Sequence, residues 1–170
     1  SQTLGLIVDP NQVCISADSS VYYRRTFDSD PDCFAMETCD TLEVTNETRT
    51  ETLLADVWID TQGEFRRVTR TEDGASVLFG RTWMPEMAVA DDGENTWDQR
   101  YSLDLWLPHP SDDGLLRLTA MWSSITMTGV NEDLYATMVK SGVEEAFTNA
   151  AAFLAGEECK NERDAEHTRE

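Results

Sequence analysis

The sequence predicts an α+β fold: a curved antiparallel meander of six or seven strands, covered by one long C-terminal helix. Two observations predict it. From residue 53 to residue 127, strand-like runs alternate with short turns that contain Gly and Asp. Residues 132–154 then repeat apolar side chains at spacings of three and four, the period of an amphipathic helix. Short turns make consecutive strands antiparallel, and a long apolar helix stripe has to pack on a sheet face.

The first predicted strand, residues 21–27, is aromatic and β-branched and lies between segments rich in Asp and Ser. A disulfide between Cys33 and Cys39 is predicted to close the loop that follows it. We expect a second disulfide, between Cys14 and Cys159, to join the two ends of the domain. Four cysteines allow three pairings, and four unpaired thiols in a reducing compartment are the alternative.

The meander continues through six further predicted strands. Turns at residues 60–63, 72–74 and 111–114 separate consecutive strands, because Asp and Gly favour tight turns. A longer loop spans residues 85–95, and Pro85 ends the preceding strand because proline cannot donate a ladder hydrogen bond. The six strands cover residues 41–49, 53–60, 64–71, 75–84, 101–107 and 116–127.

Three large side chains depart from the two-residue alternation of these strands. Trp58, Trp106 and Met121 occupy the opposite parity from the aliphatic residues of their strands. If the aliphatic face contacts the helix, these residues point away from it and indicate a surface for a ligand or a partner. A sheet that is curved enough to bury both faces places them in the core instead. The apolar parity also switches after Ser123 and Ser124, which predicts a β-bulge or a sharp bend.

The C-terminal helix has boundary signals at both ends. Asn131 is the predicted N-cap, and acidic residues follow it in the first turn, where they favour the helix dipole. Gly156 predicts the end of the helix. Residues 1–159 are therefore predicted to form one domain, and the polar residues 160–170 a flexible tail.

This order of elements resembles two known architectures. A C-terminal helix along a curved sheet is similar to the helix-grip fold of START-like lipid carriers, and a barrel followed by a helix is similar to lipocalins. Both resemblances concern the order of elements, and neither carries functional residues over to this chain.

The formal net charge of −20, from 33 acidic and 13 basic side chains, argues against one class of partner. Binding to nucleic acid depends on Lys and Arg that neutralise phosphates, so we expect no nucleic-acid partner. The acidity has two explanations, a saline habitat or a cationic partner.

Arginines on adjacent predicted strands indicate either a positive patch for a carboxylate or phosphate, or cross-strand pairing with acidic neighbours. They are Arg66, Arg67, Arg70 and Arg81.

Candidate metal and catalytic groups are few. Asp28, Asp30 and Asp32 alternate like the start of a calcium loop. In such a loop the sixth position requires Gly and the twelfth a carboxylate, but here they are Cys33 and Cys39. With only two histidines, a nucleophilic triad would depend on His109. Soft copper ligands would have to come from His109 and the methionines Met84, Met87, Met121 and Met127. We assign no cofactor, no metal and no catalytic residue.

The sequence indicates an extracytoplasmic protein, whether secreted, periplasmic or surface-anchored. Its cysteines fit disulfides, and no apolar run reaches the roughly 18 residues of a membrane span. We expect a non-catalytic domain that holds a hydrophobic or lipid-like small molecule between sheet and helix. The alternatives are a protein–protein interaction module with a filled core and a carboxylate-based hydrolase.

Overall fold

The computed structural model describes residues 2–51, 56–72, 74–108 and 115–157, and it confirms the α+β class. The helices are α1 (Gln2–Val8), α2 (Pro31–Ala35) and α3 (Glu132–Leu154), and a 3₁₀ turn spans Val13–Ile15. The strands are β1 (Ser20–Phe27), β2 (Thr41–Glu51), β3 (Asp56–Thr69), β4 (Ser76–Trp83), β5 (Ala88–Val89), β6 (Thr96–Pro108) and β7 (Leu115–Thr126).

The sheet is open and is not closed into a barrel. Its strand order is β1-β2-β3-β4-β6, and β7 pairs with the other side of β6. The two-residue strand β5 pairs with the first residues of β6, and every pairing is antiparallel. Strands β1 and β7 form the two edges of the described sheet, so the lipocalin-like alternative is wrong.

Strand β3 runs without interruption through the turn predicted at residues 60–63, and that prediction is wrong. Gly63, which suggested the turn, lies opposite Val44 of β2 and Thr82 of β4. A Cβ added to Gly63 would come within 2.8 Å of Val44 Cγ2 and 3.2 Å of Thr82 Cγ2. The glycine therefore serves close packing in the middle of the sheet and does not change the chain direction.

The loop predicted over residues 85–95 contains the short strand β5. Ala88 of β5 pairs with Trp97 of β6, and Ala90 forms a bridge with Val57 of β3. This segment therefore lies between β3 and β6 beyond the end of β4.

Near Ser124 the apolar residues change from one face of the sheet to the other, while β7 itself keeps one alternation, because Met121 and Met127 both line the cavity beneath α3. The register of β6 and β7 shifts between the pairs Trp97–Ile125 and Gln99–Ser124, so Asp98 is the extra residue. The irregularity predicted for β7 is thus a bulge of β6.

The loop predicted between the first two strands contains helix α2. Asp30 caps this helix, because its carboxylate accepts hydrogen bonds from the backbone N–H groups of Asp32 and Cys33. The predicted disulfide between Cys33 and Cys39 is confirmed, with a Cα–Cα distance of 5.3 Å. Phe34, next to the bridge, is fully buried and joins this segment to the core.

Of the two cysteines in the second predicted disulfide, the structure describes Cys14, which is disulfide-bonded. Its predicted partner Cys159 and the predicted tail, residues 160–170, lie outside the described residues. Among the helices that the structure describes, none is long and apolar enough to cross a bilayer.

Both ends of α3 carry the predicted signals. The Asn131 side chain accepts a hydrogen bond of 2.9 Å from a backbone N–H group in the first turn, as expected of an N-cap. At the other end, Gly156 has a φ of 80°. The N–H groups of Gly156 and Glu157 donate to the carbonyls of Phe153 and Ala152, which is a Schellman motif.

The core consists of two clusters on the side of the sheet that faces α3. The larger cluster contains Ile7, Phe34, Leu42, Val44, Phe65, Leu78 and Trp106. The smaller cluster, near β5, contains Val57, Ile59, Ala88, Ala90 and Trp97.

The packing at Gly80 gives a prediction about stability. An added Cβ on this β4 residue would lie 2.9 Å from Phe65 Cδ1 and 3.1 Å from Trp106 Cζ3. Gly80→Ala should therefore force the two rings apart and lower the free energy of unfolding by about 1–3 kcal/mol. Urea denaturation measures this change. Gly5→Ala in α1, where the added Cβ meets no atom within 4 Å, is the control and should not lower the stability. Equal midpoints for wild type and Gly80→Ala would contradict the prediction.

Candidate functional site

The two faces of the sheet carry different kinds of side chain. We call the face toward α3 the inner face and the opposite one the outer face. One inner row, defined by the strand register, consists of Phe65, Gly80, Asp104 and Thr119. The neighbouring outer row consists of Arg66, Phe79, Leu105 and Leu118.

Trp106 and Met121 lie on the inner face, so the premise that the aliphatic residues of β6 and β7 contact the helix is wrong. Trp106 is 8% exposed and packs against Phe65, with 6.0 Å between the ring centroids. By contrast, Leu118 on the outer face is 50% exposed. On these two strands the larger aromatic and charged side chains face the helix, and the leucines of the other parity point outward.

A partly open cavity of about 370 Å³ lies between the inner face and α3. Its volume falls within the range of about 300–1,000 Å³ that is typical of small-molecule sites. Hydroxyl groups line the sheet side, at Thr48, Thr50, Thr61, Thr82, Ser102 and Thr119. Apolar side chains line the helix side, including Met138, Val139, Val143 and Ala146.

Hydrogen bonds attach helix α3 on both sides of the cavity. The Tyr135 hydroxyl donates a hydrogen bond of 2.6 Å to Ser123 Oγ on β7. Toward the other end, Asn149 Nδ2 donates to the Ser16 carbonyl at 2.8 Å. Met138 and Val143, between these points, are only half-buried because they face the cavity. The apolar stripe of the helix is therefore not packed into a filled core.

Asp104 and Arg117 form an ion pair in the cavity wall. Asp104 Oδ1 accepts hydrogen bonds from Arg117 Nε at 2.9 Å and from Thr119 Oγ1 at 2.6 Å. The Arg117 guanidinium lies 5.2 Å from the ring centroid of Trp106 and 5.0 Å from that of Phe147. Because Trp106 belongs to β6 and Phe147 to α3, Arg117 bridges the sheet and the helix through cation–π contacts.

Arg25 of β1 is a second, more deeply buried arginine of the cavity wall, with only 6% of its surface exposed. Its Nε donates to Asn46 Oδ1 at 2.8 Å, and its Nη1 donates to the Ile7 carbonyl at 2.7 Å. The guanidinium also lies 5.2 Å from the centroid of Phe65. Burial lowers the pKa of Arg25 below its ordinary value, against an opposing effect of nearby Tyr23.

Two of the four arginines predicted as a positive patch lie on the outer face. Arg66 and Arg81 both form ion pairs with Glu64, and Arg81 also lies 5.1 Å from the ring centroid of Trp83. Hydrogen bonding to Arg81, with a smaller contribution from Arg66, holds the pKa of Glu64 below its ordinary value.

The other two arginines of that group lie elsewhere. Arg67 is on the inner face, where its Nη2 donates to the Phe34 carbonyl at 2.7 Å and its guanidinium lies 4.9 Å from the Phe34 ring. Arg70 follows the end of β3, and its carbonyl accepts a hydrogen bond from Gly74 N–H. The structure therefore does not bring the four arginines together.

The outer face carries a separate set of aromatic residues. Trp58 is half-buried in a cross-strand row, 5.3 Å from the Tyr22 ring and 5.8 Å from the Arg49 guanidinium. Nearer the other edge of the sheet, Trp122 is 56% exposed and lies 5.9 Å from the ring of Tyr101. Of the three residues singled out by parity, Trp58 alone is on the outer face.

The candidate metal ligands have other contacts. Asp30 caps α2, and Asp28 accepts a hydrogen bond of 2.8 Å from a threonine hydroxyl of β2. In the described parts of the chain, no three His, Cys, Asp or Glu side chains are grouped to hold a metal ion. Of the copper candidates, Met121 and Met127 line the cavity, and His109 lies outside the described residues.

In comparisons with known proteins, no family model, no curated protein and no solved structure matches this chain. The interpretation of the cavity therefore depends on its own geometry and chemistry.

Sequence reasoning missed the charged residues of the cavity wall, Arg25, Asp104 and Arg117. Each is a polar residue among alternating apolar ones, a pattern that also describes solvent-exposed strand positions. One signal could have found two of them. Asp104 shares its parity with Trp106 on β6, and Arg117 shares its parity with Met121 on β7, and large apolar side chains favour burial.

The ion pairs of Glu64 predict a pH dependence of stability. Because the pKa of Glu64 is lower in the folded protein than in the unfolded chain, the ion pairs stabilise the fold above the unfolded pKa of about 4.3. This contribution is lost as the pH falls through the folded pKa. Glu64→Gln should therefore lower the free energy of unfolding at neutral pH, and its difference from wild type should shrink below about pH 4.

Urea denaturation over a pH series measures this difference. Glu86→Gln, at an exposed position before β5, is the control and should match wild type throughout. A difference between wild type and Glu64→Gln that stays constant from neutral to acidic pH would show that the carboxylate charge is not involved.

Proposed function

We propose that this protein is a non-catalytic binding domain that holds a hydrophobic or lipid-like small molecule between its sheet and its C-terminal helix. The observation that carries this proposal is the cavity of about 370 Å³ beneath α3. A helix with a continuous apolar stripe normally packs that stripe into a dense core. Here Met138, Val139 and Val143 border an open space instead, and a ligand would remove their surface from water.

The ionisable groups of the cavity favour binding over hydrolysis. A carboxylate-based hydrolase requires two carboxyl groups that face each other across the substrate. Among the lining residues that the structure describes, Asp104 is the only carboxylate. It already accepts hydrogen bonds from Arg117 and Thr119, which favours a structural role.

We also propose that the protein works outside the cytoplasm, as a secreted, periplasmic or surface-anchored domain. The support is its use of cysteine: Cys33 and Cys39 form a bridge, and Cys14 is also disulfide-bonded. Disulfides persist in oxidising compartments and are rare in the cytosol.

A neutral fluorescent probe tests the binding function. We expect N-phenyl-1-naphthylamine, whose emission rises in apolar surroundings, to bind wild type with a stoichiometry of one. Val139→Trp places a large side chain in the cavity and should weaken probe binding at least about tenfold, since it fills the space that the probe needs. Fluorescence titration measures both.

The control is Leu134→Trp on the same helix. Leu134 is 46% exposed and is not part of the cavity wall, so this variant should bind the probe like wild type. Absence of probe binding to wild type, or equal binding by the two Trp variants, would count against the proposed function.

The outer face supports a second candidate function, binding to another protein. It exposes several large apolar side chains in two rows, which the row of Arg81, Leu103 and Ala120 separates, and exposed apolar side chains of this kind mark interaction sites. They are Phe79, Tyr101, Leu118 and Trp122.

Photo-crosslinking tests this second function. A photoreactive amino acid at position 122, in the exposed cluster, should give a discrete cross-linked species in an extract of the source organism. The same amino acid at position 140, where the native Lys140 side chain is 77% exposed on α3, is the control and should not. Indistinguishable cross-linking patterns at the two positions would argue against the outer face as a binding surface.

A further inference from the structure

The cavity wall reverses the charge balance of the whole chain. The sequence contains 33 acidic and 13 basic side chains. Among the described residues of the wall, however, Arg25, Arg100 and Arg117 are cations and Asp104 is the one anion. A local excess of positive charge within a strongly acidic protein favours an anionic ligand at this site over anions elsewhere on the molecule.

Two of these charges compensate each other. Arg117 Nε and Nη2 both lie 2.9 Å from Asp104 Oδ1, and Thr119 also donates to that oxygen. The pair therefore adds no net charge to the wall. Arg100 is exposed, so water and salt screen its charge. Arg25 is left as the buried cation whose charge needs a partner.

The hydrogen-bond partners of Arg25 include no carboxylate. A guanidinium has five N–H donors, and those of Arg25 donate to neutral oxygen atoms on Asn46 and Ile7, with the Tyr23 side chain as a further partner. Asp104 acts on this charge from a longer distance and shares its own charge with Arg117. No carboxylate among the described residues is within ion-pair distance of it. A buried charge without an ionic partner is costly, which agrees with the lowered pKa of Arg25.

Part of the guanidinium remains accessible from the cavity. Arg25 lines the cavity, and its hydrogen bonds to Asn46 and Ile7 use Nε and Nη1. Neither bond uses Nη2, which leaves this nitrogen and the Tyr23 hydroxyl beside it as the polar groups that a ligand can contact. The apolar wall formed by Met121 and the residues of α3 borders the same cavity.

We propose that the ligand of this cavity is an amphipathic monoanion, a carboxylic acid with an apolar tail, whose carboxylate binds Arg25. The inference rests on the proposed binding function and names its ligand class. Arg25, Arg117 and Asp104 carry one net positive charge, which matches one negative charge, and the carboxylate can accept charge-assisted hydrogen bonds from Nη2. The tail lies between Met121 of the sheet and Val139 of the helix, which both border the cavity.

A matched pair of ligands tests this proposal. Decanoic acid and decanol have the same chain and differ in the charge of the head group. Each is titrated at neutral pH against wild type loaded with N-phenyl-1-naphthylamine, and the displacement gives the ratio of the two dissociation constants. We expect the acid to bind at least about tenfold more tightly than the alcohol.

Variants identify the group that recognises the carboxylate. Arg25→Gln should bring the ratio to within about twofold of one while the neutral probe still binds. Arg24→Gln is the matched control, because Arg24 is exposed, belongs to the same strand and contributes the same charge. Its ratio should equal that of wild type. Asp104→Asn removes the negative charge of the wall, and we expect it to raise the preference for the acid about threefold or more.

The outcomes separate this inference from the proposed function. If the probe binds but acid and alcohol displace it equally well, the anion proposal is overturned and the binding function stands. If Arg25→Gln shows the same ratio of dissociation constants as wild type, the anion proposal is overturned as well. If Arg25→Gln does not fold, Asp104→Asn decides, because an unchanged or lower preference for the acid rejects the proposal. If the probe does not bind wild type, both the proposed binding function and the anion proposal are rejected.

Discussion

The contact between α3 and the sheet at the cavity depends on one guanidinium. Arg117 lies between the rings of Trp106 and Phe147, at 5.2 Å and 5.0 Å from their centroids, and its charge is held by Asp104. The guanidinium therefore lies between a ring of the sheet and a ring of the helix. Beside this contact, the apolar stripe of α3 borders the cavity and is not packed into a filled core.

The same face of the sheet contains the residues that pack around Arg117 and compensate its charge. Trp106 and Phe65 bury their rings over Gly80, where a Cβ would collide with both. The carboxylate of Asp104 compensates Arg117, and Thr119 completes its hydrogen bonding. Glycine, aromatic rings and an ion pair thus form one packed unit in the wall of the cavity.

Arg25 has two roles in this arrangement. Its hydrogen bond to the Ile7 carbonyl attaches the N-terminal segment to the inner face, and Asn46 orients the guanidinium from the neighbouring strand. These contacts use neutral oxygens, which fix the position of the cation without neutralising it. Within a strongly acidic chain, Arg25, Arg117 and Asp104 together place one net positive charge in the wall of the cavity.

Local patterns predicted most of the strands, the C-terminal helix and the short disulfide. The caps of α3 at Asn131 and Gly156 depend on neighbouring residues alone, and the bridge from Cys33 to Cys39 closes a short loop, so both were predictable from the sequence. The role of Gly63 was not, because a glycine that relieves crowding from Val44 looks in sequence like a glycine that makes a turn.

The inward face of the sheet was decided only by the tertiary structure. A period of two separates the residues of a strand into two sets, but it does not state which set meets the helix. On β6 the alternating leucines predicted that their own set faces the helix. The other set does, because Trp106 packs on the inner face against Phe65, which is distant in sequence. The sequence by itself determined a sheet with a helix at its end; the contacts between strands determined that charged and aromatic side chains line the space between them.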